Sequence, residues 1–383
     1  MIEIAAGILC LALTLANLVS IAIAAMRLNS APMDKAPVNP TDPVTIIRPL
    51  CGTEPFVEET LASSFTLSYP HYELIFCVAQ ADDPIIPIIS RLMAAHPSVP
   101  SRLLVGDDRI SDNPKLNNCI KGWQVARFDW VVLADSNVLM PQDYIQQLLA
   151  SWRPGTGLVC STPIGSLPEG FWAEVECAFL NTLQARWQYV GESLGLGFAQ
   201  GKSMLWRRDL LNANGGIRAL AAEIAEDAAA TKLVRKMGLH VHLVTSPFEQ
   251  PLGRRTARQV WGRQTRWARL RRVTFPHFFA PEILTGAAIP LLAGTYFAAV
   301  SQHSIAVLLT LLALVWYGAE WALAKSKGWH VSWRYPIACL TRDCLIPIMW
   351  AYAWIGRNVV WRGNAMTIRV NGAEPLNESS FAR

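Results

Sequence analysis

Three acidic stations and one cationic block are the parts of this sequence that can do chemistry. In chain order they are Asp82-Asp83, Asp135 at the end of an apolar run, Glu226-Asp227, and Arg263-Gln264-Thr265-Arg266-Trp267. Carboxylates are hard oxygen donors, so Asp135, followed by Ser136-Asn137, suits Mg2+ or Mn2+. A second carboxylate such as Asp227 can take the proton of an attacking hydroxyl. Arg263 and Arg266 offer planar, bidentate donors to phosphate oxygens, while Trp267 can stack on or anchor a ligand. Each piece alone has an ordinary reading. Asp82-Asp83-Pro84 reads as a helix N-terminus, Asp135-Ser136 as a turn, Glu226-Asp227 as a solvated helix face, and the arginine block as an interfacial anchor. In this order they supply what sugar transfer from a nucleotide-diphosphate donor needs: a cation for the leaving diphosphate, a base, and positive groups where charge develops.

A sheet must hold such residues. Short β-rich runs at 44–47, 72–78, 102–105 and 130–134 alternate with helical patterns at 57–67, 85–95 and 116–126. The alternation predicts an α/β fold with a mostly parallel, doubly wound sheet. Ligands of such sheets bind beyond the carboxyl ends of the strands, where Asp82-Asp83 and Asp135 fall. After a run at 157–160 the alternation weakens. A long helix is expected over 169–189, a glycine-rich loop over 191–201, a helix over 223–237 with Glu226-Asp227 in its first turns, and a strand over 240–245.

Composition points to a membrane. The 383-residue chain is 52% hydrophobic and 16% charged, against about 25% charged in an average soluble protein. Residues 4–26 carry no charge, and at ~1.5 Å per residue they can cross a ~30 Å hydrocarbon core. Glu3 and the length of the run favour an uncleaved anchor over a leader ending at Ala22-Ile23-Ala24-Ala25. Arg27 and Lys35 then place the middle of the chain in the cytosol. Residues 254–272 hold eight arginines interleaved with Trp261 and Trp267, the pattern of an interfacial helix facing anionic lipid or ligand. Beside membrane segments, nucleic acid is not the expected partner. Stretches 283–300 and 305–323 read as spans. Stretch 335–355 holds Arg342 and Asp343, so it reads as an incomplete span that keeps Arg357, Arg362 and Arg369 inside. Eight scattered cysteines, without a Cys-x-x-Cys pair, read as buried apolar residues of a reducing compartment. The expected organisation is an anchor (1–29), a linker (30–43), a catalytic domain (44–253), a basic interfacial segment (254–280), a membrane region (281–356) and a basic tail (357–383).

Several motifs resemble one known family. They are Arg48-Pro49-Leu50-Cys51-Gly52, Ser68-Tyr69-Pro70-His71-Tyr72-Glu73, Asp82-Asp83-Pro84 and Asn113-Pro114-Lys115-Leu116-Asn117-Asn118. Further on come Asp135-Ser136, Ala225-Glu226-Asp227, the Arg263 to Trp267 block, Thr341-Arg342-Asp343-Cys344 and Trp361-Arg362-Gly363. Together they resemble the ceramide glucosyltransferase family, the membrane-bound inverting enzymes of glycosyltransferase family 21. The resemblance implies a GT-A fold, a UDP-sugar donor, a divalent cation (Mg2+ or Mn2+) and a membrane lipid acceptor. It implies that Asp83, with Asp82 beside it, belongs to the nucleotide site, and that Lys115 is a further nucleotide or phosphate contact. Asp135 would serve metal and diphosphate, and Asp227 would be the base. Arg263, Arg266 and Trp267 would lie by the diphosphate and acceptor. Single displacement inverts the anomeric carbon without an enzyme nucleophile.

One departure concerns the acceptor: animal members carry a histidine where Gln184 stands here. The compact, alanine- and arginine-rich chain reads as bacterial, so the expected place is a bacterial cell membrane with the catalytic domain in the cytosol. Bacterial relatives include a hopanoid-biosynthesis enzyme that adds N-acetylglucosamine to bacteriohopanetetrol, the alternative to a hexose on ceramide. A processive polysaccharide synthase would carry more spans after the arginine block, and a degenerate scaffold would not keep the acidic stations.

Overall fold

A computed structural model describes residues 1–30, 41–356, 358–361 and 364–367. Most of the expected linker lies outside the described residues, as do Arg357, Arg362, Arg369 and most of the basic tail.

The N-terminal run is one helix, α1 (Ile2–Leu28). Then β1 (Val44–Leu50), α2 (Val57–Ala62), β2 (Tyr72–Val78), α3 (Ile86–Ala95), β3 (Ser101–Val105), α4 (Pro114–Val125) and β4 (Trp130–Ala134) follow the expected alternation. Successive strand side chains point to opposite faces, and helices cover both. Ile46, Val132 and Ala134 therefore pack in one core, and Ile47, Val131 and Leu133 in another.

The domain continues with α5 (Tyr144–Ala150), β5 (Thr156–Cys160), β6 (Ile164–Glu169), α6 (Phe171–Ala178) and α7 (Arg186–Ser193). It closes with β7 (Ser203–Arg207), α8 (Arg208–Asn212), α9 (Glu226–Lys236), β8 (His240–Leu243) and β9 (Glu249–Arg254). The main sheet has the order β3-β2-β1-β4-β7-β5-β8. Only β7 runs antiparallel to its neighbours β4 and β5; the remaining pairs are parallel. The α/β, mostly parallel expectation holds. Strands β6, β7 and β9 were not anticipated, and β6 and β9 pair with each other apart from the main sheet. The helix expected over 169–189 is displaced: Gly170, at φ 84°, ends β6, and the helix runs on through a π-helical stretch (Phe179–Ala185) to Ser193. Gly191 is thus helical, not part of the loop.

The arginine-rich segment forms α10 (Ala257–Thr274), which starts on a Thr256–Gln259 capping box. Part of its basic charge is taken up by acidic groups of the protein. Arg255 and Arg263 pair with the fully buried Glu176 at 3.7 and 3.0 Å, and Arg271 pairs with Glu282 at 2.6 Å. After α11 (Pro276–Phe279) come α12 (Ala288–Val300), α13 (Ile305–Ser326) and α14 (Tyr335–Ala353). Arg269 and Arg272 donate to carbonyls just past α14.

Among the described residues, α1 and α13 are long and apolar enough to cross a membrane. The stretch read as one span over 283–300 is instead broken. Pro276–Leu284 and Ala288–Val300 meet at 42°. The break is built in, because Asp343 accepts the N–H of Ala287 at 3.0 Å where α12 starts. A Cβ at Gly286 would meet Ile346 at 2.8 Å and Asp343 at 3.0 Å.

Helix α14 is continuous, and its charges are sheltered by protein. Fully buried Arg342 pairs with Asp343 at 2.7 Å and Glu320 at 3.0 Å, and donates to the Ala178 carbonyl at 3.1 Å. Arg186 pairs with Glu320 at 3.4 Å and donates to Asn17 of α1. Two cations and two anions thereby fasten the α6–α7 run to α1, α13 and α14. The cysteines follow expectation only in part. Five are buried and Cys10 is half-buried, but Cys51 and Cys344 are exposed.

Candidate active site

Asp135 follows β4 directly, at the carboxyl edge of the sheet. Its turn is held by Arg48, a fully buried guanidinium at the fifth residue of β1. Arg48 donates to the carbonyls of Asp135 (2.9 Å), Ser136 (3.0 Å) and Val138 (3.0 Å), and to the Thr60 carbonyl (2.6 Å). The Asp135 carboxylate meets two ammonium groups: Lys115 at 2.7 Å on Oδ1 and Lys202 at 2.9 Å on Oδ2.

Lys115 stands in the first turn of α4. Asn113 caps this helix, accepting from the N–H groups of Lys115 (2.9 Å) and Leu116 (3.2 Å), and Pro114 opens it. The Asn113 amide also donates to Glu226 at 2.7 Å, and Lys115 reaches Glu226 at 2.5 Å and the Gly201 carbonyl. The first turn of α9 carries Glu226 and Asp227, so the starts of two helices meet here, and helix N-termini favour carboxylates. Asp227 accepts from the N–H groups of Gly201 (3.2 Å) and Ala228 (2.8 Å). The loop passes close to both: a Cβ on Gly201 would lie 2.8 Å from the Glu226 carboxylate and 3.1 Å from the Lys115 ammonium, so a larger residue would have to push these side chains aside.

These surroundings separate the two aspartates. Burial alone would raise Asp135, but Lys115 and Lys202 outweigh it and hold the carboxyl well below the usual range. Burial would lower the Lys115 ammonium, yet Asp135 and Glu226 keep it above its ordinary value. Asp227 goes the other way: burial, then the neighbouring charge of Glu226, push it up to about 6. One carboxylate is a fixed anion and the other is a base poised near neutrality.

A cavity of about 1370 Å³ joins this cluster to α1, α13 and α14. Lys115, Asp135, Asp227, Arg263 and Arg266 line its polar end. Leu13 and Ala16 of α1, Trp316 of α13, and Ile346 and Met349 of α14 line its apolar end. Gln184 lines the cavity and donates to Gln264 at 2.8 Å. Half-buried Trp267 also lines the cavity, packed on Leu180 and Leu252, with the Arg263 guanidinium 5.9 Å from its ring.

Six of the expected residues therefore belong to one cavity lining. Asp82 and Asp83 are not on it. Asp82 is exposed, while Asp83 accepts from the N–H groups of Gly52 (2.9 and 3.0 Å) and Ile85 (2.9 Å), joining the loops after β1 and β2. Lys115, expected on phosphate, is held by carboxylates. Sequence reasoning missed the parts played by Arg48, Asn113 and Lys202. The Asn-Pro pair before α4 was a readable cap signal; Lys202 had none, because β7 places it. Among the described residues, no three His, Cys, Asp or Glu side chains are grouped to hold a metal alone. Asp135 beside Asn137 fits a hard cation that takes most of its oxygens from phosphate and water.

Comparison with known proteins places the chain in a family. The family model described as Glycosyl transferase family 21 matches residues 12–374. The chain is similar to ceramide glucosyltransferase 1 of Caenorhabditis elegans, at 26% identity over 357 residues, covering 90% of this chain and 76% of that protein. It is also similar to a ceramide glucosyltransferase of Komagataella phaffii, at 40% identity over 107 residues, 27% of this chain and 21% of that one. Among solved structures it is similar to a mannosyltransferase from Pyrobaculum calidifontis in complex with GDP-Man and Mn2+, with a TM-score of 0.49 and 19% identity, covering 90% of this chain and 99% of that one. With a match over nearly its whole length, the chain belongs to glycosyl transferase family 21, and it is a hexosyltransferase on a mostly parallel α/β fold.

Proposed function

We propose that this enzyme transfers a hexose, such as glucose, from a UDP-sugar to a hydroxyl of a membrane lipid such as ceramide, with inversion at the anomeric carbon. The observation that carries this reading is the single cavity with a charged end at the sheet edge and an apolar end among α1, α13 and α14. A water-soluble acceptor would have no use for that second end. Arg27, directly after the apolar run of α1, supports a cytosolic catalytic domain, on the inner face of a bacterial cell membrane.

In this mechanism the donor diphosphate lies at Asp135 with Arg263 and Arg266 beside it, and the acceptor hydroxyl approaches from the apolar side past Trp267. The hydroxyl oxygen forms a bond to the anomeric carbon as the bond to the diphosphate oxygen breaks. Asp227 takes the hydroxyl proton, and UDP departs. Asp135 would hold a Mg2+ or Mn2+ ion, which when bound neutralises charge on the leaving diphosphate. Arg263 and Arg266 stabilise the same charge through planar donors. Arg48 keeps the Asp135 turn in place from within the core.

The test is transfer by the purified full-length enzyme in nanodiscs, with radiolabelled UDP-glucose or UDP-N-acetylglucosamine against ceramide or bacteriohopanetetrol. A labelled glycolipid that disappears with Asp135→Ala is the expected result, and the productive pair names donor and acceptor. A long polymer formed without added lipid would overturn the proposal.

A further inference from the structure

Lys202 takes no part in the steps above, yet it occupies half of the Asp135 carboxylate. Its ammonium lies 2.9 Å from Asp135 Oδ2 and 2.9 Å from Asn137 Oδ1. The backbone fixes this placement. Antiparallel pairing sets Ala134 opposite Ser203, and one step further the Asp135 N–H donates to the Lys202 carbonyl at 3.0 Å. Any residue at 202 must face Asp135.

The neighbouring cations have other anchors. Lys115 is shared with Glu226 at 2.5 Å, and Arg263 is paired with Glu176 at 3.0 Å. Lys202, by contrast, is paired with Asp135 itself and bonded to Asn137, and like Lys115 it lines the cavity. A free divalent ion arriving at Oδ2 has to displace an ammonium and then sit beside it and Arg263. That exchange gains little from Coulomb attraction. A diphosphate changes the balance, because its oxygens offer Lys202 a new anionic partner as Asp135 is released.

We propose that Lys202 is an internal counter-cation that keeps a divalent ion off Asp135 until the donor diphosphate is present, and then carries its ammonium to that diphosphate. Cation and nucleotide then bind as one cooperative event. The inference rests on the reading above that the donor is a nucleoside-diphosphate sugar.

Mn2+ binding to the full-length protein in nanodiscs, followed by the electron paramagnetic resonance of free Mn2+, tests it without turnover. In the wild type, UDP should tighten Mn2+ binding at least ~100-fold. Lys202→Met should bind Mn2+ alone at least ~10-fold tighter than wild type, and UDP by calorimetry at least ~10-fold more weakly. A merely structural lysine would not move these two affinities in opposite directions. Lys202→Gln, which keeps a donor for Asn137, is measured in parallel and decides the matter should Lys202→Met not fold. Asp135→Asn should remove Mn2+ binding in every arm. Equal affinity of the wild type and both Lys202 variants for Mn2+ without UDP overturns the proposal. Failure of UDP to bind the wild type with Mn2+ present instead removes the nucleotide reading, while the Mn2+-only comparison still decides what Lys202 does.

Discussion

Glu226 and Asp227 are adjacent, and their surroundings give them different work. Glu226 is tied to Lys115 and Asn113, while Asp227 receives backbone donors from Gly201 and Ala228. With Asp227 raised to about 6, the sign of the pH effect follows. A base must be unprotonated, so kcat/KM should be level above about pH 6 and fall tenfold per unit below it. Glu226→Gln removes a charge that raises Asp227 and should move the acid limb to lower pH. Asp227→Asn should reduce transfer ~10²–10⁴-fold with UDP affinity nearly unchanged. A profile without an acid limb, or an active Asp227→Asn enzyme, would refute this assignment. Asp135, Asp227 and the arginine block stood out in the sequence through their order, since each alone also has an ordinary structural reading. Lys202 did not, since nothing in Gly201-Lys202-Ser203 states what lies across from it.

At the scale of elements, the strands that were readable are those separated by a full helix. β1 to β4 alternate with α2, α3 and α4, so period-2 and period-3.6 patterns take turns. β7 breaks that rhythm: it follows a loop and runs antiparallel between β4 and β5. β6 and β9 carry glycine and proline, which lower any strand reading. The membrane-side helices were visible as apolar stretches, but their fastening was not. Glu320 takes Arg186 and Arg342 at once, a partnership between helices distant in sequence. Glu320→Ala leaves two buried guanidinium groups short of a partner and should destabilise the protein by about 3–5 kcal/mol. Thermal unfolding in nanodiscs measures this; an unchanged midpoint would show that the network holds nothing together.

Taken as a whole, the molecule joins an apolar helical bundle and a sheet domain through one shared cavity, and α1 belongs to both. Arg27 pairs with buried Glu192 at 2.6 Å, and Arg153 pairs with the same carboxylate at 2.8 Å. On the same helix, Ala16 faces the cavity. Ala16→Trp should therefore raise the KM for the lipid acceptor at least ~10-fold and leave UDP-sugar affinity alone, as a bulky ring fills the apolar end. Equal effects on both substrates would mean that α1 supports the fold without touching the acceptor.

The apolar wall built by Leu13, Ala16 and Trp316 has a thermodynamic consequence for the proposed reaction. Drawing hydrocarbon into water costs ~0.8 kcal/mol per methylene, about 10 kcal/mol for a dozen. An acceptor whose chains slide from bilayer to protein never meets that barrier, and neither does its glycosylated product on the way out. Encounter then takes place in two dimensions. Turnover follows the mole fraction of acceptor in the surrounding lipid, and adding more membrane of the same composition dilutes nothing that the enzyme senses.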